Sequence, residues 1–319
     1  MQSSDISALR PFWNRLRMNE NNLKNPFHFL LLKSIMICRV FIVNFFLLLF
    51  PTTLLIGGEG ITQANEYQKN SDLQWQWAMD SLASFSFNEN EKVLDLGCGN
   101  GKITAYIAEK VPLGIVVGLD ISATMLALAR QNYSADNLLY MHGDARSLPF
   151  VDQFDKVTAL LSFNWIMEQQ QALNSLYKVL KPGGRALLIL PGKLPSSLGN
   201  VTVALVQTER WAPYFPDFKQ VKFYASIEEY VPMLESANLK VNSTKESDDF
   251  TYFADKTALI GFFRPLCNYI DQLSHQLQEE FIEEIVQKVL TYDHPLDDGS
   301  ILLHSTKVEV IVSKSPMAN

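Results

Sequence analysis

Val93-Leu94-Asp95-Leu96-Gly97-Cys98-Gly99-Asn100-Gly101-Lys102 joins an apolar strand to a glycine turn and then to the start of a helix. Glycine suits such a turn because a side chain would block the close approach of a ligand to the backbone. The three glycines are spaced as GxGxG, whereas a dinucleotide fingerprint would place its third glycine at Lys102. This spacing disfavours NAD. Asp95 is a carboxylate at the strand end that can accept hydrogen bonds from a cationic ligand or hold the loop.

The chain around this turn alternates short apolar runs with amphipathic stretches. The apolar runs predict strands at 92–96, 115–120, 138–142, 155–162, 185–190 and 308–313. The amphipathic stretches predict helices at 71–87, 102–111, 123–131, 169–180 and 227–237. Strands and helices that alternate at this spacing favour parallel pairing through helical crossovers, so we predict an α/β fold with a doubly wound, mostly parallel sheet.

Two stretches do not fit the alternation, at about 192–224 and 251–298, and the second contains strong helical runs such as 279–290. We predict that both are insertions that cover the ligand edge of the sheet. The resulting domain spans 65–319, which is within the usual size of a single domain.

Composition and charge exclude several classes of function. The chain of 319 residues is 47% hydrophobic and 19% charged, which excludes a disordered protein. Residues 1–64 carry a net charge of +3 and residues 65–319 a net charge of -10, so nucleic acid is not an expected partner. The cysteines at 38, 98 and 267 are too far apart for a disulfide scaffold or a CxxC site, and no metal-ligand spacing is visible.

Five segments in order resemble the motifs of the class I S-adenosylmethionine (SAM) dependent methyltransferases. The glycine turn is similar to motif I of that family. Residues 117–122 (VGLDIS) resemble its second strand, 142–145 (HGDA) the end of its third, 154–165 its fourth strand and substrate-facing tip, and 180–185 (LKPGGR) the turn before its fifth. The resemblance implies a Rossmann-like sheet of seven strands and SAM as the cofactor.

The resemblance also implies roles for residues at the strand ends. Asp120 would bind both ribose hydroxyls, Asp144 the adenine amino group, and the backbone N–H of Ala145 the adenine ring, against which Met125 would pack. Taken separately, Asp120 is also compatible with a helix N-cap, Asp144 with a turn and Met125 with the core. The implied cofactor-binding residues are Asp95, Gly97, Cys98, Gly99, Asp120, Ile121, Met125, Asp144, Ala145 and Ser162.

Flanking segments resemble the small-molecule carboxyl methyltransferases, which include juvenile hormone acid methyltransferase and, more distantly, trans-aconitate methyltransferase. The likeness is carried by 67–74 (YQKNSDLQ), 163–166 (FNWI), 171–173 (QAL), 211–215 (WAPYF) and 277–281 (LQEEF). By this resemblance Tyr67, Gln74 and Trp165 would border the methyl acceptor. Gln74 can donate an amide N–H to a carboxylate and Trp165 an indole N–H, but a surface glutamine and a core tryptophan fit the same residues.

The resemblance therefore implies O-methylation of the carboxylate of a small or medium, partly apolar acid. A carboxylic acid with a pKa of about 4 is already ionised at neutral pH, so it can attack the sulfonium methyl group without a general base. None of the five histidines belongs to a recognisable dyad, and no catalytic residue is assigned. The alternatives are a quinone, phenol or amine acceptor, a protein substrate, and a membrane-tethered SAM-binding protein without turnover.

The segment 1–64 is basic and then apolar, and 40–58 carries no charge over a length that can cross a bilayer. We predict membrane association through 35–58, with the catalytic domain in the cytoplasm, where SAM is available. Two alternatives compete with this prediction. A chain that starts at Met36 resembles a signal peptide and would be exported, and the apolar run could instead be a buried helix packed on the domain. The basic residues before the apolar run favour a cytoplasmic N-terminus, which would send the domain across the membrane and away from SAM.

Overall fold

The structure is a computed structural model that describes residues 72–316. The segment 1–64 and Tyr67 lie outside the described residues, so the membrane and signal-peptide hypotheses stay predictions. Within 72–316, every helix is too short or too polar to cross a bilayer.

Seven strands form one sheet in the order β3-β2-β1-β4-β5-β7-β6. The pairs β1–β2, β2–β3, β1–β4 and β4–β5 are parallel, and β7 runs antiparallel to both of its neighbours. The predicted doubly wound, mostly parallel sheet of seven strands is confirmed. The strands are β1 (Lys92–Leu96), β2 (Ile115–Asp120), β3 (Leu138–His142), β4 (Phe154–Leu160), β5 (Leu180–Pro191), β6 (Leu239–Phe253) and β7 (Ile301–Lys314).

Eight α-helices accompany the sheet within the described range. They are α1 (Asp72–Leu82), α2 (Lys102–Lys110), α3 (Ala123–Asn132), α4 (Gln169–Val179), α5 (Leu198–Val206), α6 (Ile227–Ser236), α7 (Lys256–Phe263) and α8 (His275–Val289). Helices on both sides bury the sheet, which is why the central strands read as continuous apolar runs. Val93, Leu94 and Leu96 of β1, for example, are each inaccessible to solvent.

The strand order reverses at β1: β2 and β3 lie on one side of it, and β4 and β5 lie on the other. In an open α/β sheet, a ligand crevice forms outside the carboxyl ends of the strands at such a switch point. The glycine turn that follows β1 therefore lies at the place where this fold binds ligands.

A third hydrophobic core is separate from the two cores that pack on the sheet faces. It unites α5, α7, α8, the two residues that flank the 3-10 helix Ala212–Tyr214 (Trp211 and Phe215) and the adjoining ends of β6 and β7, which we call the cap. At its centre the rings of Trp211 and Phe281 meet edge to face with centroids 4.7 Å apart. The cap is built from the two stretches, 192–224 and 251–298, that interrupt the predicted alternation, together with those strand ends.

Candidate active site

The three glycines of the turn all have positive φ angles: 70° at Gly97, 54° at Gly99 and 82° at Gly101. A Cβ atom at Gly97 would lie 2.2 Å from the Cβ of Ser162, and one at Gly101 would lie 2.5 Å from the hydroxyl oxygen of Tyr140. A Cβ at Gly99 would meet no atom within 4 Å. Gly97 and Gly101 are therefore required by packing, while Gly99 turns its bare backbone towards open space.

Asp120 ends β2 and braces this turn. Its carboxylate accepts hydrogen bonds from the backbone N–H of Gly99 at 2.8 Å and of Ser122 at 2.7 Å. The N-cap of α3 is Ser122, whose hydroxyl accepts from the N–H of Met125, so Asp120 is not the capping residue. Burial raises the pKa of Asp120, although these backbone donors act in the opposite direction.

Asp95, near the carboxyl end of β1, is buried beneath the turn. Its two oxygens accept hydrogen bonds from the hydroxyls of Thr104 and Thr158, each at 2.7 Å. Burial raises the pKa of this carboxyl to about 6 against the effect of those two bonds. Of the two roles predicted for Asp95, this arrangement suits holding the loop.

A cavity of about 310 Å³ opens at the carboxyl ends of β1 to β4. Among its walls are eight of the ten residues that the resemblance assigned to the cofactor. Asp95 and Cys98 are the two that it leaves out; Cys98 is buried, with its N–H donated to the carbonyl of Leu119. The eight are Gly97, Gly99, Asp120, Ile121, Met125, Asp144, Ala145 and Ser162.

Arg146 and Glu168 also line this cavity, and no sequence pattern pointed to either of them. The guanidinium of Arg146 holds both oxygens of Asp144 and reaches Glu168 at 2.9 Å. Burial acts to raise the pKa of Asp144, but the hydrogen bonds from Arg146 outweigh it and the pKa is lowered. Asp144 is therefore ionised, and an adenine amino group would share it with Arg146.

The residues of the cavity fit SAM. Each oxygen of Asp120 accepts one backbone N–H and keeps a second acceptor site, which matches the two ribose hydroxyls. The cavity is lined by three carboxylates, those of Asp120, Asp144 and Glu168, and by one guanidinium, which favours a ligand with a net positive charge. The open side of Gly99 leaves the backbone accessible to that ligand.

A second, smaller pocket of about 130 Å³ lies between the sheet edge and the cap. The structure brings Gln74 of α1 and Trp165 together in its walls, as the resemblance implied. Leu161 and Trp165 line both this pocket and the cofactor cavity, so the two spaces are neighbours. We call this smaller space the acceptor pocket.

Lys222 lines the acceptor pocket and was not singled out by the sequence analysis. Its side chain is 4% exposed, and its Nζ lies 3.1 Å from the centroid of the Trp165 ring. A lone lysine in an irregular stretch resembles any surface lysine, so the sequence held no signal for its burial.

Residues 94–188 match the family of the methyltransferase domain (Methyltransf_11). The chain is 29% identical over 142 residues to the malonyl-[acyl-carrier protein] O-methyltransferase of Priestia megaterium, across 44% of this chain and 49% of that protein. It is 39% identical over 119 residues to the demethylmenaquinone methyltransferase of Lactiplantibacillus plantarum, across 35% of this chain and 50% of that protein. The chain thus spans about half the length of these two curated relatives.

A solved structure shares the fold. The phosphoethanolamine N-methyltransferase 2 of Haemonchus contortus, determined with S-adenosyl-L-methionine, superposes with a TM-score of 0.50 at 17% identity, over 80% of this chain and 57% of that chain. The narrower likeness to juvenile hormone acid and trans-aconitate methyltransferases stays a prediction. The described residues form a class I SAM-dependent methyltransferase domain, and SAM is its cofactor.

Proposed function

We propose that the protein transfers the methyl group of SAM to the carboxylate of a small or medium, partly apolar acid. The observation that carries this proposal is Lys222, a buried amine that lines the pocket next to the cofactor cavity. The O-methyltransferase among the relatives supports an oxygen acceptor.

The shape and lining of the acceptor pocket suit such an acid. Its volume of about 130 Å³ gives room for on the order of ten water-sized groups. Its walls include Leu73, Trp77, Phe262 and Phe263, which favour an apolar body. An acid bound there with its carboxylate at the wall shared with the cofactor cavity would face the methyl donor.

Lys222 supplies the charge that an acid would need. Burial lowers the pKa of its amine to about 7, while the nearby Cys267 acts in the opposite direction. Among residues 72–316 no Asp or Glu carboxylate forms an ion pair with this amine, and its nearest aromatic partner is the ring of Trp165. A buried cation without a counter-ion is costly, and an entering carboxylate would relieve that cost.

The chemistry requires positioning more than proton transfer. Bound SAM supplies a methyl group on a sulfonium, which makes that carbon electrophilic. A carboxylate oxygen forms the new O–C bond as the C–S bond breaks, and the electron pair of that bond stays on sulfur. Lys222 and the amide of Gln74 would orient the carboxylate, and the cap would exclude water, so that alignment carries most of the rate enhancement.

A second candidate, a quinol or phenol acceptor, is favoured by the same lysine in its other protonation state. An amine with a pKa of about 7 is half neutral at neutral pH and can take a proton from a phenolic hydroxyl. The demethylmenaquinone methyltransferase among the relatives supports this acceptor class. The two candidates require opposite charge states of Lys222.

The test uses the full chain with methyl-labelled SAM and a panel of carboxylic acids, phenols, quinols and amines. We expect label in an acid that mild base releases as methanol, because an ester is base-labile. Lys222→Met should lower kcat/KM for that acid by about 30-fold or more, since a buried charge pair is worth about 2 kcal/mol or more. Lys219→Met, which removes an exposed lysine of the same loop, is the matched control and should change little. Label that withstands mild base would overturn the carboxylate acceptor and favour the second candidate.

A further inference from the structure

Besides Lys222, the acceptor pocket contains polar atoms that have no partner. Six buried side-chain nitrogen or oxygen atoms lack a hydrogen-bond partner among the described residues, and three of them belong to this one pocket. They are Oε1 of Gln74, Oδ1 of Asn164 and Oγ1 of Thr306. Such atoms are costly when left unpaired, so three in one pocket point to a ligand that pairs with them.

The three atoms come from separate parts of the fold and are held in place. Asn164 belongs to the 3-10 helix Phe163–Trp165 and is 7% exposed, while Thr306 belongs to β7 and is 8% exposed. The backbone N–H of Gly192 donates to the carbonyl of Thr306 at 2.6 Å, and a Cβ at Gly192 would lie 2.7 Å from the Cβ of Thr306. The backbone of Thr306 is therefore fixed against Gly192, where only a glycine leaves room for the threonine side chain.

Asn164 is also tied to the segment that carries the buried amine. The backbone N–H of Phe223, the residue after Lys222, donates to the carbonyl of Asn164 at 2.7 Å. This bond joins the backbone segments that carry Asn164 and Lys222, and both residues line the acceptor pocket.

The two kinds of group select different parts of one molecule. The amine of Lys222 can donate to a carboxylate, whereas the oxygens of Gln74 and Asn164 can only accept and the hydroxyl of Thr306 can accept or donate. An ionised carboxylate has no hydrogen to donate to the two amide oxygens. Their donors must come from another part of the acceptor, and a hydroxyl there can also pair with Thr306.

We infer that the methyl acceptor is an acid that carries at least one hydroxyl or amide N–H apart from its carboxylate, and that Asn164 and Thr306 select it. This inference rests on the proposed carboxylate acceptor. The apolar walls hold the carbon skeleton, Lys222 holds the carboxylate, and the unpaired oxygens accept from the hydroxyl or amide. A site built to hydrogen-bond a hydroxyl rejects the analogue that lacks it more strongly than an apolar wall rejects an added group.

The experiment compares pairs of aliphatic carboxylic acids that differ only in one hydroxyl, placed at successive carbons, with the full chain. Methyl transfer is followed as base-labile label, and binding of the same acids is measured separately by equilibrium titration in the presence of S-adenosylhomocysteine. We expect at least one hydroxy acid to exceed its deoxy partner by about 10- to 100-fold in kcat/KM and in affinity.

Thr306→Val keeps the shape of the side chain and removes its hydroxyl. It should bring the preference for that hydroxy acid down by about tenfold, through weaker binding of the hydroxy acid, and should not lower the melting temperature, because the lost hydroxyl had no partner. Thr208→Val, at an exposed site of the cap, is the matched control and should keep the full preference.

The two proposals fail in different ways. Equal affinity and equal turnover for hydroxy and deoxy acids would overturn the inference, while base-labile label would still support the carboxylate acceptor. A preference that Thr306→Val leaves intact would overturn the role of Thr306. Tighter binding of the hydroxy acids without any base-labile label would support recognition of the acid's hydroxyl by the unpaired oxygens of the pocket and would overturn the proposed methylation of the carboxylate.

Discussion

Lys222 gives this protein a pH dependence that separates a carboxylate acceptor from one that must lose a proton. Burial lowers the pKa of its amine to about 7, and kcat/KM reports the protonation of the free enzyme. If the protonated amine binds a carboxylate, kcat/KM is level at low pH and falls by about tenfold between pH 6 and pH 8, with about a further tenfold by pH 9. A phenol that needs the neutral amine gives the opposite profile, a rise up to about pH 7 and then a plateau.

The same amine makes stability depend on pH. Its pKa is about 7 in the folded chain against an ordinary value of 10.5, so the folded state binds fewer protons than the unfolded state between those two pH values. Stability of the wild-type chain therefore rises with pH across that window, and below pH 7 the buried charge costs its full amount, at most about 5 kcal/mol. Lys222→Met removes this cost, so the variant should be more stable than wild type at pH 6, by an amount that shrinks towards pH 9.

The assay measures initial rates from pH 6 to pH 9 with an acid that the enzyme methylates, for wild type, Lys222→Met and Lys219→Met. Urea unfolding of the three proteins is measured at the same pH values. Lys222→Met should lose the pH dependence of kcat/KM, and Lys219→Met should keep it. A wild-type profile that does not change near pH 7, or one that Lys222→Met retains, would refute the assignment of Lys222 to the acceptor. A variant no more stable than wild type at pH 6 would refute the costly buried charge.

Three further substitutions test the geometry of the site. In urea unfolding, Gly97→Ala should destabilise the fold by about 1–2 kcal/mol for its positive φ and by about 1–3 kcal/mol more for the contact of the new Cβ with Ser162. Gly183→Ala, at φ 81° with open space around it, should show only the cost of the positive φ. Asp120→Asn should weaken SAM by about 10- to 100-fold in equilibrium titration, because an amide group would replace one acceptor oxygen of the turn; unchanged affinity would remove Asp120 from the cofactor site. Trp165→Leu should lower kcat/KM for the acceptor by about tenfold or more and should weaken SAM binding by a smaller factor. An equal loss of both would make Trp165 a core residue.

Parts of the fold could be predicted and parts could not, for reasons that can be read from individual elements. The predicted bounds of β1, β2 and β3 match the structure, because short apolar runs bounded by turns are typical of buried parallel strands. β6 was missed, since most of its 15 residues are polar and exposed at the sheet edge. Helix α5 (LGNVTVALV) was missed because it is apolar on every side and shows no amphipathic period.

Strand β5 illustrates a third reason. Its predicted start at Arg185 follows the turn residues Pro182 and Gly183, yet the strand begins at Leu180, and its pairing with β4 shifts register between Phe154 and Lys156. Local turn signals indicated a break, and pairing with β4 on one side and β7 on the other kept the chain extended. Tertiary pairing can override local preference in this way.

The glycine turn and the strand-end acids determined the cofactor site from sequence alone, because their spacing is local and a parallel sheet brings strand ends to one edge. Eight of the ten residues that the resemblance named lie in the walls of one cavity for that reason. Apart from Gln74 and Trp165, which the resemblance named, the acceptor pocket was decided only by tertiary structure. It joins residues from α1, the loop after β4, the cap and β7, and burial alone turns Lys222 from an ordinary lysine into an unpaired internal charge. No local pattern encodes which distant side chains exclude water from each other.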